Sequence, residues 1–252
     1  MVVVKSRIKS VRDIKVIAAQ AYGPHDDYIA KVLADAGVSV SDVEIKWTKD
    51  LTGTNETPAA ALREDPEVDT AFVISVDADE LTAGEGAEKS VPGARKFLST
   101  GDANRVIPDV YAVRYDWYEA HKEWVQKLTH GFFLADEQLP GLFTEKDSRK
   151  AAYKQMITAG ADILLDDSQS GEIVEGMFGE CELAGFAGNV QFFGNPNYPR
   201  NFETLTSEVQ QAFVAMGVLS KQSPVVHARW DYEVFKPGLQ NVAGVAVPKF
   251  KA

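Results

Sequence analysis

Cysteine is almost missing from this chain of 252 residues: Cys181 stands alone. One thiol forms no internal disulfide, no Cys-x-x-Cys redox pair and no cysteine zinc site, so it reads as a small core residue near a glycine-rich turn. Histidine is scarce too. His25, His121, His130 and His227 form neither an HExxH pair nor any helical ligand spacing, which removes the sequence case for a zinc enzyme and leaves no metal expected. No apolar run approaches the roughly 20 residues needed to cross a bilayer, so no membrane insertion is expected. Met1 to Val4 is too short for the apolar core of a signal peptide, and charged residues follow at once. Positive charge is in deficit, with 26 Lys and Arg against 37 Asp and Glu and a net charge of −11. A nucleic-acid partner needs a basic stripe, and none is present.

What the chain does contain is ordinary globular material. Its 45% apolar content and its length suffice for one large domain or two modest ones. The stretch Lys9 to Trp47 reads as a complete βαβ unit. Ile14, Val16 and Ile17 form a short apolar run, and Ala21-Tyr22-Gly23-Pro24 breaks it. Ile29, Val32, Leu33 and Ala36 share a helical face, Gly37 stops the helix, and Val43, Ile45 and Trp47 alternate as in a strand. A loop that leaves a strand and opens a helix presents free N–H groups at the positive end of the helix dipole, which suits an anionic head. The same residues also fit a plain βα turn.

Two β-like runs, Val2 to Val4 and Val110 to Val113, bracket this block and are expected to lie side by side as antiparallel hinge strands. Between them the pattern predicts the βαβ unit, whose helix begins near Asp27, a short helix at Pro58 to Arg63, a buried strand at Val68 to Ile74, a loose segment from Gly84 to Gly93, and a further run at Ala94 to Leu98. Strands alternating with helices imply an α/β fold with a mainly parallel sheet. After the bracket the chain turns helical. Trp117, His121, Trp124, Val125 and Leu128 recur at helical spacing after Asp116, and Ser148 to Ala159 forms another helix. Gly171 to Pro199 holds short helices, and Asn201 caps Phe202 to Met216. From Ser220 the chain is punctuated by proline and expected to be extended. Trp47, Trp117, Trp124 and Trp230 fall on apolar periodicities and are expected in the core or at lobe contacts. The division that follows is an α/β lobe over residues 1–114 and a helical region over 115–252 that packs back on it.

Catalytic motifs are absent where they would count. GEGAEKSVPG, Gly84 to Gly93, imitates a phosphate loop, but Glu88 occupies the position before Lys89-Ser90 that a Walker motif gives to glycine. Asp77-Ala78-Asp79-Glu80 lacks the glycine and distal glutamate of a calcium loop. No nucleophile elbow occurs, and no cofactor is expected. Three loops remain at carboxyl ends of strands, where open α/β sheets place their ligands: Gln20 to His25, Ser75 to Asp77, and Ser99 to Asn104. The candidate ligand-binding residues are Gln20, Tyr22, Gly23, His25, Ser75, Asp77 and Thr100. Backbone N–H groups at Tyr22 and Gly23 would hold an anionic head, Tyr22 would pack on the ligand body, the hydroxyls of Ser75 and Thr100 would donate, and His25 would donate when protonated or accept when neutral.

KSVRDIKVIAAQAYGPHDDYIAKVLADAGVSVSDVEI resembles the opening of the second lobe in solute-binding proteins of ABC importers, the nitrate, sulfonate and taurine type. The resemblance rests on the lead-in Ser10, Asp13, Ile14 and Lys15, the helix ending Ala36-Gly37-Val38, and Asp42-Val43 before the next strand. PEVDTAFVISVDADELT and ETLTSEVQQAFVAMGVL are similar to that family's later strand and late helix. It implies a periplasmic binding protein-like fold of type II, capture of a small polar or anionic solute by closure of two lobes, and delivery to an ABC permease. Only MVVVKSRI precedes the lead-in, so most of an N-terminal lobe is expected to be missing. Location follows suit: periplasmic or extracellular for a fragment of an exported protein, cytoplasmic if the gene starts at Met1. The alternatives are a biosynthetic enzyme on the same fold, similar to thiamine-pyrimidine synthases, and a protein-interaction module.

Overall fold

A computed structural model describes residues 1–102, 107–179 and 181–242. Among the described residues the chain divides into two compact units, one built from Met1–Asp109 with Glu203–Val226 and the other from Val110–Phe202 with residues 227–242.

The first unit is α/β. Its sheet has five strands: β1 (Val2–Val4), β2 (Val16–Gln20), β3 (Glu44–Thr48), β4 (Thr70–Phe72) and β5 (Arg95–Leu98), in the order β3-β2-β4-β1-β5. β2 runs parallel to β3 and β4, while β1 runs antiparallel to both β4 and β5. Four strands therefore point one way and β1 is inserted against them. This corrects the expected hinge pair. Both edges of β1 are taken by β4 and β5, and residues 110–113 form no strand, with Val110, Tyr111 and Val113 exposed.

The pleat sorts the core. Val2, Val4, Ile17, Ala19 and Phe72 point to one face and pack with Tyr28, Ile29, Val32 and Leu33 of helix α1 (His25–Asp35). Val3, Ala18 and Ala71 point to the other, against Ala59 and Leu62 of α2 (Pro58–Glu64) and Ala78 and Leu81 of α3 (Ser75–Leu81). Met216, just beyond α9 (Phe202–Ala215), packs on the first face.

Local chemistry sets the element ends. α1 stops because Gly37 takes a φ of +68°, which lets the Gly37 N–H donate to Ala34 O (2.9 Å) and the Val38 N–H to Leu33 O (2.9 Å). That is a Schellman closure, completed by Val38 and Leu33 sharing the core. α2 starts where the Thr57 hydroxyl accepts from the Ala60 N–H at 3.1 Å, with Pro58 at the first helical position. At the amino ends of the parallel strands, Asp69 is a staple. Its carboxylate accepts from Arg7 Nε (2.8 Å) and from the Lys15 and Val16 N–H groups (2.8 and 2.9 Å).

The second unit is helical. It contains α4 (Tyr115–Ala120), α5 (Lys122–Thr144), α6 (Lys150–Leu165), α7 (Gly171–Gly179) and α8 (Gly185–Gly194). The predicted helix around Trp117 is split in two at His121, and short helices do occupy the Gly171 to Pro199 segment. One core joins Phe133, Phe186, Phe235 and Leu239, and a second joins Ile157, Ala161 and Val174. From Ser220 the described chain has no strand and one short turn of helix at Tyr232–Phe235. Cys181 is exposed and not in the core, and the tryptophans depart from expectation too. Trp230 packs against the first of these cores, but Trp47, Trp117 and Trp124 are exposed. The apolar periodicity around Trp117 instead makes an exposed aromatic stack, with Trp117 on His121 at 4.3 Å and edge-on to Trp124 at 5.5 Å.

Candidate functional site

The sheet gathers the three predicted loops at one edge. Gln20 ends β2 opposite Thr48 of β3, and Val2 stands opposite both Phe72 of β4 and Leu98 of β5. The carboxyl ends of β2, β3, β4 and β5 therefore share an edge, with Gln20 to His25, Ser75 to Asp77 and Ser99 to Thr100 on it. Residues 103 and 104 of the third loop lie outside the described residues.

Within that edge the candidates have unequal roles. Tyr22 adopts a left-handed φ of +62° and is 78% exposed, an unusual state for an aromatic residue. The left-handed position is at Tyr22 and not at Gly23. A Cβ on Gly23 would meet the Gln20 Oε1 at 3.1 Å, so the Gln20 amide lies against the turn. Ser75 is the first residue of α3, and Thr100 opens a short helical turn, Thr100–Asp102, half-buried.

His25 corrects its expected role as an accessible donor. It is the first residue of α1, two positions earlier than the sequence places the helix start, and is 5% exposed, edge-on to Phe72 with ring centroids 6.5 Å apart. Burial first, then the Met1 amino group, holds its pKa down at about 4, against a counter-effect from the Val73 carbonyl that its ring faces. Its Nδ1 has no hydrogen-bond partner. Asp77 likewise sits inside α3 and not on a solvated loop. Its Oδ1 accepts from the Thr52 hydroxyl at 3.1 Å, its Oδ2 is buried and unpartnered, and burial raises its pKa.

Sequence reasoning passed over Asp26. An Asp in the first turn of a helix normally lies in water and favours the dipole, yet this residue is fully buried. Neither carboxylate oxygen closes a hydrogen bond of normal geometry, although the Tyr22 N–H is directed at them, and burial pushes the pKa up to about 6. The readable signal was the doublet Asp26-Asp27 directly after a strand and turn; its burial was not readable.

His25 and Asp26 act on stability in opposite senses. Neutral His25 suits the fold, so its contribution is intact above 6.5 and is lost as pH falls from 6.5 to 4. Buried ionised Asp26 opposes the fold above its folded pKa, and that cost is lifted as pH falls from about 6 to 3.8. Each effect is on the order of 3 kcal/mol and the two largely cancel. Relative to the parent, Asp26→Asn should therefore lose stability on acidification over this window, and His25→Gln should gain it. Thermal midpoints across the window check both signs; parallel profiles for the three proteins would refute the assignment.

Beside this edge a wide, open groove of about 590 Å³ runs between the end of β3 and α2, lined by Trp47, Thr48, Lys49, Asn55, Glu56 and Thr57 among others. It adjoins the candidate edge through Thr48 and Lys49 and holds none of the seven candidates. Among the described residues, no cluster of three His, Cys, Asp or Glu is placed to hold a metal ion, and no helix is long and apolar enough to cross a membrane.

Among solved structures, the chain is similar to the alkanesulfonate-binding protein SsuA from Xanthomonas axonopodis pv. citri bound to MOPS, with a TM-score of 0.50 and 19% sequence identity. The fold is that of a type II periplasmic binding protein. The match covers 86% of this chain and 64% of that one, so the chain spans less than two thirds of its neighbour's length. No protein-family model and no curated protein sequence matches. The neighbour is a binding protein and not an enzyme.

Proposed function

We propose that this chain is the solute-binding component of an ABC importer, capturing a small polar or anionic solute of the sulfonate, nitrate or taurine kind for delivery to a permease. The observation that carries the reading is the fold shared with a protein that binds alkanesulfonates. The gathering of the three loops at the carboxyl edge supports it, because open α/β sheets bind ligands there. Gln20, Tyr22, Gly23, Ser75 and Thr100 line that edge as ligand contacts, with the exposed Tyr22 ring as the stacking surface. Delivery to a permease implies a periplasmic or extracellular setting. The same observation does not favour the biosynthetic-enzyme alternative, since the protein that shares the fold is a binding protein.

Titration calorimetry of the full chain with MOPS, ethanesulfonate, taurine and nitrate tests this. Saturable heat is expected for at least one, and Tyr22→Ala should weaken it by about tenfold, the loss of one aromatic contact of roughly 1 kcal/mol or more. Absence of saturable binding to all four would overturn the reading.

A further inference from the structure

Three properties of the Ala21–Tyr22 peptide, in the turn between β2 and α1, meet at Asp26. Its N–H belongs to Tyr22, whose φ of +62° is left-handed, a conformation that costs an aromatic residue energy. That N–H is directed at the Asp26 carboxylate, which is fully buried and closes no hydrogen bond of normal geometry. Its carbonyl, on Ala21, accepts no hydrogen bond among the described residues. Both flanks of the peptide are tied down. The Ala21 N–H donates to the Thr48 carbonyl at 3.3 Å, and the Asp26 N–H donates to the Gly23 carbonyl at 3.2 Å. The turn therefore holds one peptide that can rotate without breaking a bond its neighbours make.

A trans peptide is planar, so such a rotation changes only the Ala21 ψ and the Tyr22 φ. Half a turn carries Tyr22 from the left-handed region to the extended one, which every residue type adopts. It also changes what Asp26 meets, the Ala21 carbonyl replacing the Tyr22 N–H. An ionised carboxylate only accepts, so it suits the N–H; a protonated one has an O–H to donate, so it suits the carbonyl. We propose that this peptide is a two-state switch set by the protonation of Asp26. Its N–H points inward while Asp26 is ionised, and its carbonyl points inward, with the Tyr22 N–H turned out to water, once Asp26 is protonated. The strain at Tyr22 is what the ionised carboxylate maintains and what its protonation releases. The turned-out N–H is the group an anion at the carboxyl edge would take, so acid favours the anion-competent state. The switch is read on the free protein and stands apart from the solute-binding reading.

The surroundings leave Asp26 to titrate on its own. Burial raises its pKa to about 6 against the opposing effect of the Tyr22 N–H. On α1 its neighbours are His25, held at about 4, and the buried Asp27. β1, β2 and β4 bring no titratable side chain, and the Met1 amino group acts on His25. On β3, Glu44 is exposed and Lys46 is paired with Asp65 and Glu67; on β5, Arg95 donates to the Ile8 carbonyl and Lys96 pairs with Asp79. Arg12, Asp13 and Asp42 belong to the helical turns Val11–Asp13 and Val40–Asp42 at the other end of α1, where Arg12 Nε donates to the Ala36 carbonyl at 3.0 Å. Met216, which packs on this face beyond α9, is uncharged.

NMR of the full chain with isotope-labelled tyrosine nitrogens tests this, the Tyr22 amide being the signal that Tyr22→Phe removes. As the pH falls from neutral through the window around 6, that signal is expected to move from the position of an N–H aimed at a carboxylate to that of an N–H in water, with a single midpoint near 6. Its three-bond coupling to Hα should change over the same window, because φ passes from left-handed to extended. Asp26→Asn cannot ionise and should abolish both changes. His25→Gln should leave the midpoint in place, because His25 titrates lower. A signal that moves while its coupling stays constant shows Asp26 titrating beside an unmoved peptide and overturns the switch. So does a signal that stays still across the window, or a change that survives Asp26→Asn. Should the Asn variant fail to fold, the coupling in the parent still decides, since only rotation of the peptide alters it.

Discussion

Asp69→Ala is expected to destabilise the first unit by about 3 kcal/mol, because one carboxylate there closes three separate parts of the chain. It accepts from Arg7 in the segment after β1 and from the N–H groups of Lys15 and Val16 where β2 begins, and it lies one residue before β4. Removing it leaves two peptide N–H groups at a partly buried strand entry without that acceptor, and each such loss costs roughly 1 to 3 kcal/mol, toward the lower end where water reaches the group. Arg7 would be less affected, being half-exposed and still donating to the carbonyls of Pro66, Glu67 and Val68 at 2.9, 3.1 and 3.0 Å. Asp69→Asn should fall between the two, since one amide oxygen can replace Oδ2 while the amide NH2 opposes the Arg7 donor. Denaturant melts of the three proteins check the order. An alanine variant as stable as the parent would mean that the strand entry is held by packing alone.

Asp69 also marks how far the sequence could be read. The βαβ unit was legible because each of its ends has local chemistry: an apolar run, a Gly-Pro break, and a glycine that can take the left-handed conformation. The partner of β1 was not legible. Three valines state that a strand is buried, but nothing in Val2 to Val4 says which neighbours it takes, and Val110 to Val113 offered an equally apolar run. The discrimination is made at a distance, by the β4 and β5 pairing and by Asp69, whose partners lie 53 to 62 residues away in sequence. The candidate edge divides in the same way. That Gln20 to His25, Ser75 to Asp77 and Thr100 would share one side followed from strand alternation. Whether a polar residue on that edge faces water or the core depends on helix rotation against the sheet. The two-residue shift in the start of α1 turned His25 and Asp26 inward, and apolar spacing alone does not fix a helix start to better than a few residues.

In the second unit the largest single loss is expected at Phe235, where truncation to alanine should cost about 3 to 5 kcal/mol. This ring is fully buried in a segment with almost no regular structure, so side chains must do what a ladder or helix does elsewhere. It meets Phe133 at 5.4 Å, Trp230 at 5.5 Å and Tyr232 at 5.9 Å between ring centroids. Around it the segment is tied to α5 by His130 Nε2 against the Pro237 carbonyl at 2.7 Å, and by the Glu137 carboxylate, which accepts from the Gln240 and Asn241 N–H groups at 2.8 and 2.7 Å. Those polar ties are exposed and compete with water, so they orient the segment without holding it once the ring is gone. Phe235→Ala should accordingly release residues 227–242 to protease cleavage before the rest of the chain unfolds. Phe235→Leu, which keeps much of the volume, should retain most of the protection. Limited proteolysis with mass mapping reads this directly; a variant cut no faster in that segment than the parent would show that the return is anchored by the α5 hydrogen bonds and not by its aromatic core.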